Sequence, residues 1–337
     1  MDSLTHIVLG AAIGEAVLGK KIGRKAMLWG ALADTIPDFD VFASCCTTDA
    51  QQLMVHRGIT HSILFVVLMS PLIGYAFTKL FKNTAVSFKE WTLLFFLGMF
   101  THIFIDAMTA YGTGWFEPFS SYRVSFNSIF VADVFYTVPF LICVLVALIA
   151  KNGSPKRIKW NTAGLIISSA YLAFTFFNKW HVHTTMKNSF DKKMLFANEF
   201  VSTPTPLNNF LWMAYTRDSL GTWIGYYSIF DKSTDIEFHR FNKNDSLLKP
   251  YEGDESLNIL KQFSKGHYVI TQNDTSIYFN DIRFGLMGGF DHPDASFPFS
   301  YQLNKNADNS MALDRGKFKI PLSEAFTALY ERAKGKQ

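Results

Sequence analysis

Charge is distributed very unevenly along this 337-residue chain, and that distribution limits its fold more than any other feature. Residues 62–78, 134–150 and 160–178 carry no charged side chain, and 91–105 has none either, although it contains His102. Crossing the hydrocarbon of a bilayer takes about 20 mostly apolar residues, so with their flanks these four runs read as transmembrane helices. Residues 3–19 and 26–36 form a weaker pair, a tilted span and a half-helix broken by Pro37. Gly10 and Gly14, four apart, allow close backbone approach there. From residue 187 onward the chain reads as an ordinary polar globular sequence. The expected architecture is a polytopic α-helical membrane domain of about five or six helices over residues 1–180, followed by a soluble α+β domain over 181–337. In the second half, 223–230, 267–271 and 275–279 read as strands, with Asn273 and Asp274 as turn residues. Leu322, Phe326, Leu329 and Tyr330 mark an amphipathic closing helix.

Basic residues gather in three short loops: Lys20, Lys21, Arg24 and Lys25; Lys79, Lys82 and Lys89; and Lys151, Lys156, Arg157 and Lys159. With six spans all three fall on one side, which the positive-inside rule makes cytoplasmic. Residues 34–61, 107–129 and everything after Lys179 are then expected to be extracytoplasmic. The N-terminus lacks the basic region and small-residue cleavage site of a signal peptide, so the first helix is expected to stay in the mature protein. A net charge of +4, without a basic patch interleaved with aromatics, gives no sign of nucleic-acid binding. Cys45, Cys46 and Cys143 supply neither a disulfide framework nor a CxxC knuckle.

Polar motifs stand at the outer ends of the apolar runs: Thr5-His6, Asp34 with Asp38 and Asp40 around Pro37, the string His56-Arg57-Gly58-Ile59-Thr60-His61-Ser62, and His102 with Asp106. His6 is about 20 Å along its helix from the Lys20 loop, and His102 about 17 Å from Trp91, so the two can meet at one level. His102 and Asp106, four apart, share a helix face, a spacing that suits joint metal ligation. Ionisable groups inside a membrane are costly and usually mark function, which favours that use over a structural His–Asp pair. Gly58 can fold His56 and His61 toward one centre. Carboxylates are disfavoured at a helix C-terminus, and a nearby cation would relieve that penalty at Asp34, Asp38 and Asp40. Mixed His/Asp ligation without thiolate suits a divalent transition metal, one or two ions of Zn, Mn, Fe or Co. Asp38, Asp40, His56, His61, His102 and Asp106 are the candidate ligands, with His6 and Asp34 as further ligands or proton carriers. Arg123, with Asp133 as a candidate partner, is either a fork for a substrate phosphate or carboxylate or an interfacial anchor. His181, His183, His239, His267 and His292 are read as structural.

PDxD, HRxxTHS and HxxxD occur in that order among membrane helices, at Asp38 and Asp40, at His56 through Ser62, and at His102 and Asp106. Together with Ser3-Leu4-Thr5-His6, Thr109-Ala110-Tyr111-Gly112, Pro118-Phe119-Ser120 and Arg123, these residues make the chain resemble the YdjM-like family of inner-membrane, metal-dependent hydrolases. The resemblance covers roughly residues 1–180. Pro204 through Asn208, with Leu211-Trp212, is similar to the tail of longer members. What the resemblance implies is a hydrolase embedded in the inner membrane that uses a bound metal.

The expected activity is therefore attack by metal-activated water on an ester or phosphodiester of a membrane lipid or lipid-linked substrate, with Asp34, His6 and Arg123 as catalytic or substrate-binding groups. Protein partners are not legible. One rival is a metal-ion or proton-coupled transporter, disfavoured because each motif occurs once whereas transporters show paired halves. The other is a metal-stabilised scaffold, against which the surplus of carboxylates argues.

Overall fold

α1 (Ser3–Ile22) and α2 (Arg24–Thr35) are joined by Gly23, whose φ of 60° lies in the left-handed region. The two helices run antiparallel in close contact. A Cβ on Gly14 would meet the Ala26 carbonyl oxygen at 2.0 Å, one on Gly30 the Gly10 carbonyl oxygen at 2.1 Å, and one on Gly10 the Asp34 Cβ at 2.5 Å. The Gly10 and Gly14 pair thus packs on a third glycine, Gly30. At Pro37 the missing N–H ends the α-helical ladder, and the chain continues as a 3-10 helix, Ile36–Cys46.

The computed structural model describes residues 1–273, 276–287, 296–305, 311–315 and 321–336. It divides into two units, one of residues 1–45 and 55–176, the other of residues 46–54 and 177–337.

In the first unit, the 3-10 turn Ile59–His61 leads into α4 (Ile63–Leu80), numbered after the short α3 (Asp49–Val55). α5 (Phe88–Ala107) follows, started by a reciprocal capping box between Ser87 and Glu90. α6 (Val134–Ile149) and the first part of α7 (Pro155–Lys192) complete the unit. Among the described residues α4 and α5 are the two helices long and apolar enough to cross a membrane; α6 is apolar but has 16 residues. Only 17% of α4 is buried, and Val67, Leu68, Leu72 and Tyr75 point outward, as a lipid-facing helix requires. α5 carries the unit's core: Trp91, Leu94, Phe95, Met99 and Ile103 pack with Val8, Leu9, Met27 and Phe140. Gly98 admits α2, since a Cβ there would meet that of Ala33 at 2.7 Å. At the end carrying the basic loops, buried Arg157 ties α7 to Glu15 of α1, with Nε donating at 2.6 Å.

The second unit is built on two antiparallel four-stranded meanders. The first is β1 (Glu199–Pro204), β2 (Leu211–Arg217), β3 (Gly221–Ser228) and β4 (Phe238–Asn242). The second is β5 (Tyr268–Asn273), β6 (Ser276–Asp281), β7 (Phe299–Lys305) and β8 (Met311–Arg315). β2 is buried on both faces: Leu211, Met213 and Tyr215 join a core with Val269, Ile282 and Leu329, while Trp212 and Ala214 pack with Val182, Met186 and Phe190 of α7. α8 (Glu255–Phe263) covers the second sheet through Leu257 and Leu260. The amphipathic closing segment is α9 (Leu322–Ala333), which buries Ala325, Leu329 and Ala333. The chain is therefore a helical N-terminal region followed by a β-sheet domain with flanking helices. Asp274 and His292 lie outside the described residues.

Candidate metal centre

Four segments converge at one end of the first unit: the start of α1, the junction of α2 with the 3-10 helix, the turn at residues 56–62, and the last turn of α5. The close α1–α2 contact carries His6 against Asp34, and the Gly98 contact sets Asp34 beside Thr101 and His102. His6 and His102 stack with ring centroids 3.7 Å apart.

The innermost group is Asp38, His61, His102 and Asp106. The two Nε2 atoms of His61 and His102 face each other at 3.1 Å. Asp38 Oδ1 lies 3.5 Å from the first and 3.4 Å from the second. Asp106 Oδ2 lies 3.5 and 3.6 Å from the same two nitrogens. A tetrahedral ion with bonds of about 2.0–2.1 Å separates its ligand atoms by about 3.3–3.4 Å, so five of the six edges of this tetrahedron have the spacing of a zinc-type site. Two imidazole nitrogens facing each other also share at most one proton in their neutral forms, and a cation between them removes the conflict. Asp106 Oδ2 is buried and lacks a well-formed hydrogen bond, although Arg57 Nε stands 3.0 Å away. The donor set fits a metal ion.

Both histidines are backed by carboxylates on the opposite ring nitrogen. His61 Nδ1 lies 3.0 Å from Thr60 Oγ1 and 3.4 Å from Asp40 Oδ2; His102 Nδ1 lies 3.6 Å from Asp34 Oδ2. The Thr60 contact favours the His61 tautomer that leaves Nε2 free to ligate, whereas His102 Nδ1 is buried without a hydrogen bond, the nearest Asp34 oxygen being held by His6. Burial pushes His61 down to about 3, which keeps it neutral at physiological pH. Burial pushes the Asp38 carboxyl up, but hydrogen bonds from His102 and His61 outweigh it and hold the group well below the usual carboxylate range.

Two further groups adjoin the first. His6, Asp34 and His102 form one, in which His6 spans Asp34 Oδ2 at 3.0 Å and Asp106 Oδ1 at 3.2 Å with its two ring nitrogens; the Met1 amino group also contacts Asp106. Asp38, Asp40 and His56 form the other. Asp38 is common to this group and the tetrahedral one, the arrangement expected of a carboxylate shared by two ions. This is also where the cluster opens, since the side chains of His56 and Asp38 are 41% and 25% exposed.

All six candidate ligands, with His6 and Asp34, thus lie in one continuous cluster. His56 and His61 are split between adjacent groups, their rings 6.1 Å apart and linked through Asp40. Arg123 stands at the rim and donates from Nη1 to the His56 carbonyl at 3.0 Å. Asp133 instead caps α6, accepting from the backbone of Phe135 and Tyr136 and from the Tyr171 hydroxyl.

Arg57 has a part that the spacing argument, built on the flanking histidines, overlooked. Its φ of 61° lets its N–H donate to Asp40 at 2.8 Å while its carbonyl accepts from Gly114. Its guanidinium donates to Thr109 Oγ1 at 3.0 Å and lies over the Tyr111 ring. The HRGITHS string contained the signal: an arginine between two metal-type histidines, entering a membrane helix, has to be neutralised by a carboxylate close by.

The chain is similar to the uncharacterized protein YfhP of Bacillus subtilis (strain 168), with 33% identity over 165 residues, 46% of this chain and 48% of YfhP. It is also similar to the inner membrane protein YbcI of Escherichia coli (strain K12), with 26% identity over 122 residues, 36% of this chain and 69% of YbcI. The chain therefore matches about half the length of YfhP. No solved structure matches it. The profile of the YdjM inner membrane protein family matches residues 1–182, the whole region that forms the cluster, and the chain belongs to that family.

Proposed function

We propose that this protein is a membrane-bound, metal-dependent hydrolase whose substrate is an ester of a membrane lipid or lipid-linked molecule. The observation that carries the reading is the tetrahedral set of Asp38, His61, His102 and Asp106 beside a half-exposed His56. A divalent transition ion (Zn, Mn, Fe or Co) held there supplies Lewis acidity, acidifying water toward neutral pH and polarising an ester oxygen. His61 and His102 present Nε2 as ligand atoms, with Asp40 and Asp34 standing behind their Nδ1 atoms. Arg57 steadies Asp106 through Nε. His6, held between Asp34 and Asp106, is placed to take up a proton from the site and pass it to Asp34. Asp38 and His56, at the opening, meet the substrate first.

Exposed Phe39, Phe42, Phe119 and Tyr122 lie in the segments that carry Asp38, Asp40 and Arg123, a setting suited to acyl chains. Basic loops at the other ends of the helices support a multi-pass protein with the site on the extracytoplasmic side. A closed structural metal site is disfavoured by the third group, whose His56 opens to solvent.

The test is metal content by mass spectrometry on detergent-purified protein, with a His61→Ala, His102→Ala double variant as control, followed by turnover of lipid esters. One or two ions per chain, lost in the variant together with turnover, is the expected result. Full turnover in the double variant, or no bound metal after reconstitution with Zn, Mn, Fe or Co, would sink the proposal.

A further inference from the structure

We infer that one end of the β-sheet unit rests in the lipid interface, with Phe177, Trp180, Leu207 and Phe230 set into the headgroup layer and the 204–210 turn latched to α7 at that depth. The inference rests on the membrane-bound reading above and adds an interaction surface to it.

α7 runs unbroken from Pro155 to Lys192, and its uncharged stretch is bounded by two Lys-Trp pairs, Lys159-Trp160 and Lys179-Trp180. The tryptophans are 20 residues apart, about 30 Å of helix, which is the thickness of a bilayer's hydrocarbon core. Both are exposed, as are Ile166, Ile167 and Phe174 between them. Tryptophans at the two ends of a lipid-facing helix mark the two interfaces, which puts one interface at Trp180.

Asn178, two residues before Trp180, decides what else lies at that level. Its Nδ2 donates to Asn209 Oδ1 at 2.9 Å and also to the Asn209 carbonyl. Asn209 is buried in the turn that joins β1 to β2, and its carbonyl accepts from Trp212 Nε1 as well. The turn is braced from within: Asn208 Oδ1 accepts from the N–H groups of Phe210 and Leu211, both at 2.8 Å, and Thr205 Oγ1 donates to the Leu211 carbonyl. This bracing holds Leu207 at a φ of 67°, rare for a bulky side chain, and leaves it 37% exposed. Glycine or asparagine is the usual occupant of such a position in water, whereas a leucine held outward there suits lipid. Phe230, 55% exposed, follows β3 at the same end of the sheet and packs on Phe210, with ring centroids 5.6 Å apart. The adjoining Asp231 is paired with Arg332 at 2.7 Å, so its charge is balanced beside the apolar patch.

The opposite end of the same sheet exposes Phe196 and Leu220. Phe196 lies past Lys192, about 21 Å of helix beyond Asn178 and well outside a headgroup layer of about 5–8 Å. It is the internal control.

The experiment uses the full chain in phosphatidylcholine nanodiscs, with Cys45 and Cys46 replaced by Ser and Cys143 by Ala. One nitroxide is attached at Ile167→Cys, Leu207→Cys, Phe230→Cys or Phe196→Cys. Relaxation by oxygen, which partitions into lipid, is compared with relaxation by water-soluble chromium oxalate. Expected are strong shielding from the chromium complex at Ile167, intermediate shielding at Leu207 and Phe230, and open access at Phe196. Asn178→Ala should raise chromium access at Leu207 several-fold and leave Ile167 unchanged. Access at Leu207 and Phe230 equal to that at Phe196, with Ile167 shielded, overturns the interface contact and leaves the membrane reading standing. Shielding at Phe196 equal to that at Leu207 also overturns it, because the cover is then not confined to this end. Open access at Ile167 defeats the reading of α7 as a span. Unchanged shielding of Leu207 in Asn178→Ala overturns the latch.

Discussion

The two units bury ionisable groups in opposite ways. In the β-sheet unit, buried charge is settled locally: Asp281 and Arg283, two residues apart, pair at 2.6 Å, and the guanidinium lies over Phe263 and Phe284. In the helical unit, buried His6, Asp34, His61, His102 and Asp106 come from distant segments and face one another with more ligand atoms than protons to share. A local pair is complete within one turn of chain and serves the fold. A convergent set has the make-up of a ligand site, which is why the proposed function is placed in the helical unit.

The sharpest way to break this contrast is Arg283→Met. It leaves Asp281 buried without its partner and should destabilise the β-sheet unit by about 3–5 kcal/mol, read by thermal unfolding of the full chain, while metal content stays at the wild-type level. Metal loss in that variant would mean that the units do not bury charge independently.

Gly14→Leu attacks the helical unit through packing alone. With the Ala26 carbonyl 2.0 Å from the added Cβ, α1 and α2 must part, at a cost of about 3 kcal/mol, and His6 should leave Asp34. Reduced metal content with intact β-sheet hydrogen-exchange protection is the expected pattern. Asp34→Asn is gentler: it keeps the shape but weakens the group behind His102, lowering metal affinity by about 10–100-fold in a chelator competition.

The smallest effect is a pH dependence. Burial, with the charges of Arg217, Arg283 and Lys265, pushes His267 down to about 3; the Glu199 carboxylate at 3.3 Å is half-exposed and too screened to offset this. The unfolded chain takes up the proton near 6.5 and the folded unit does not, so stability is full above about pH 6.5 and falls as pH drops toward 3. At about pH 5 the loss reaches roughly 2 kcal/mol. His267→Gln should flatten the fall in unfolding temperature between about pH 7.5 and 5, and an unchanged slope would assign the dependence to other groups.

Much of the helical unit was legible because apolar runs and their capping signals are local. The runs at 62–78 and 134–150 fall within a few residues of α4 and α6. α5 begins at Phe88, three residues before its run, because Ser87 and Glu90 cap it. α7 continues to Lys192, since no glycine or proline stops it after Asn178. Gly30, the third member of the α1–α2 contact, went unread because its role depends on a partner helix. In the second unit, 223–230 overlaps β3, and β1, β2, β4 and β8 carried no recognisable alternation, while that of β7, with Phe299, Tyr301 and Leu303 on one face, went unread. β2 is buried on both faces, so its residues do not alternate between apolar and polar. The candidate ligands could be named from residue type and spacing. Their division into three groups, and the place of Arg57, depended on side-chain directions that spacing does not contain.

The convergence of the cluster also has a consequence for biogenesis. His6 emerges from the ribosome 100 residues before Asp106, and Asp34 67 residues before Thr101. Until α5 is synthesised, the ionisable side chains of α1 and α2 lack the groups that later surround them. α5 is thus the helix that closes the cluster. A nascent chain interrupted before His102 holds no complete ligand set, and one that has passed Asp106 holds all of it.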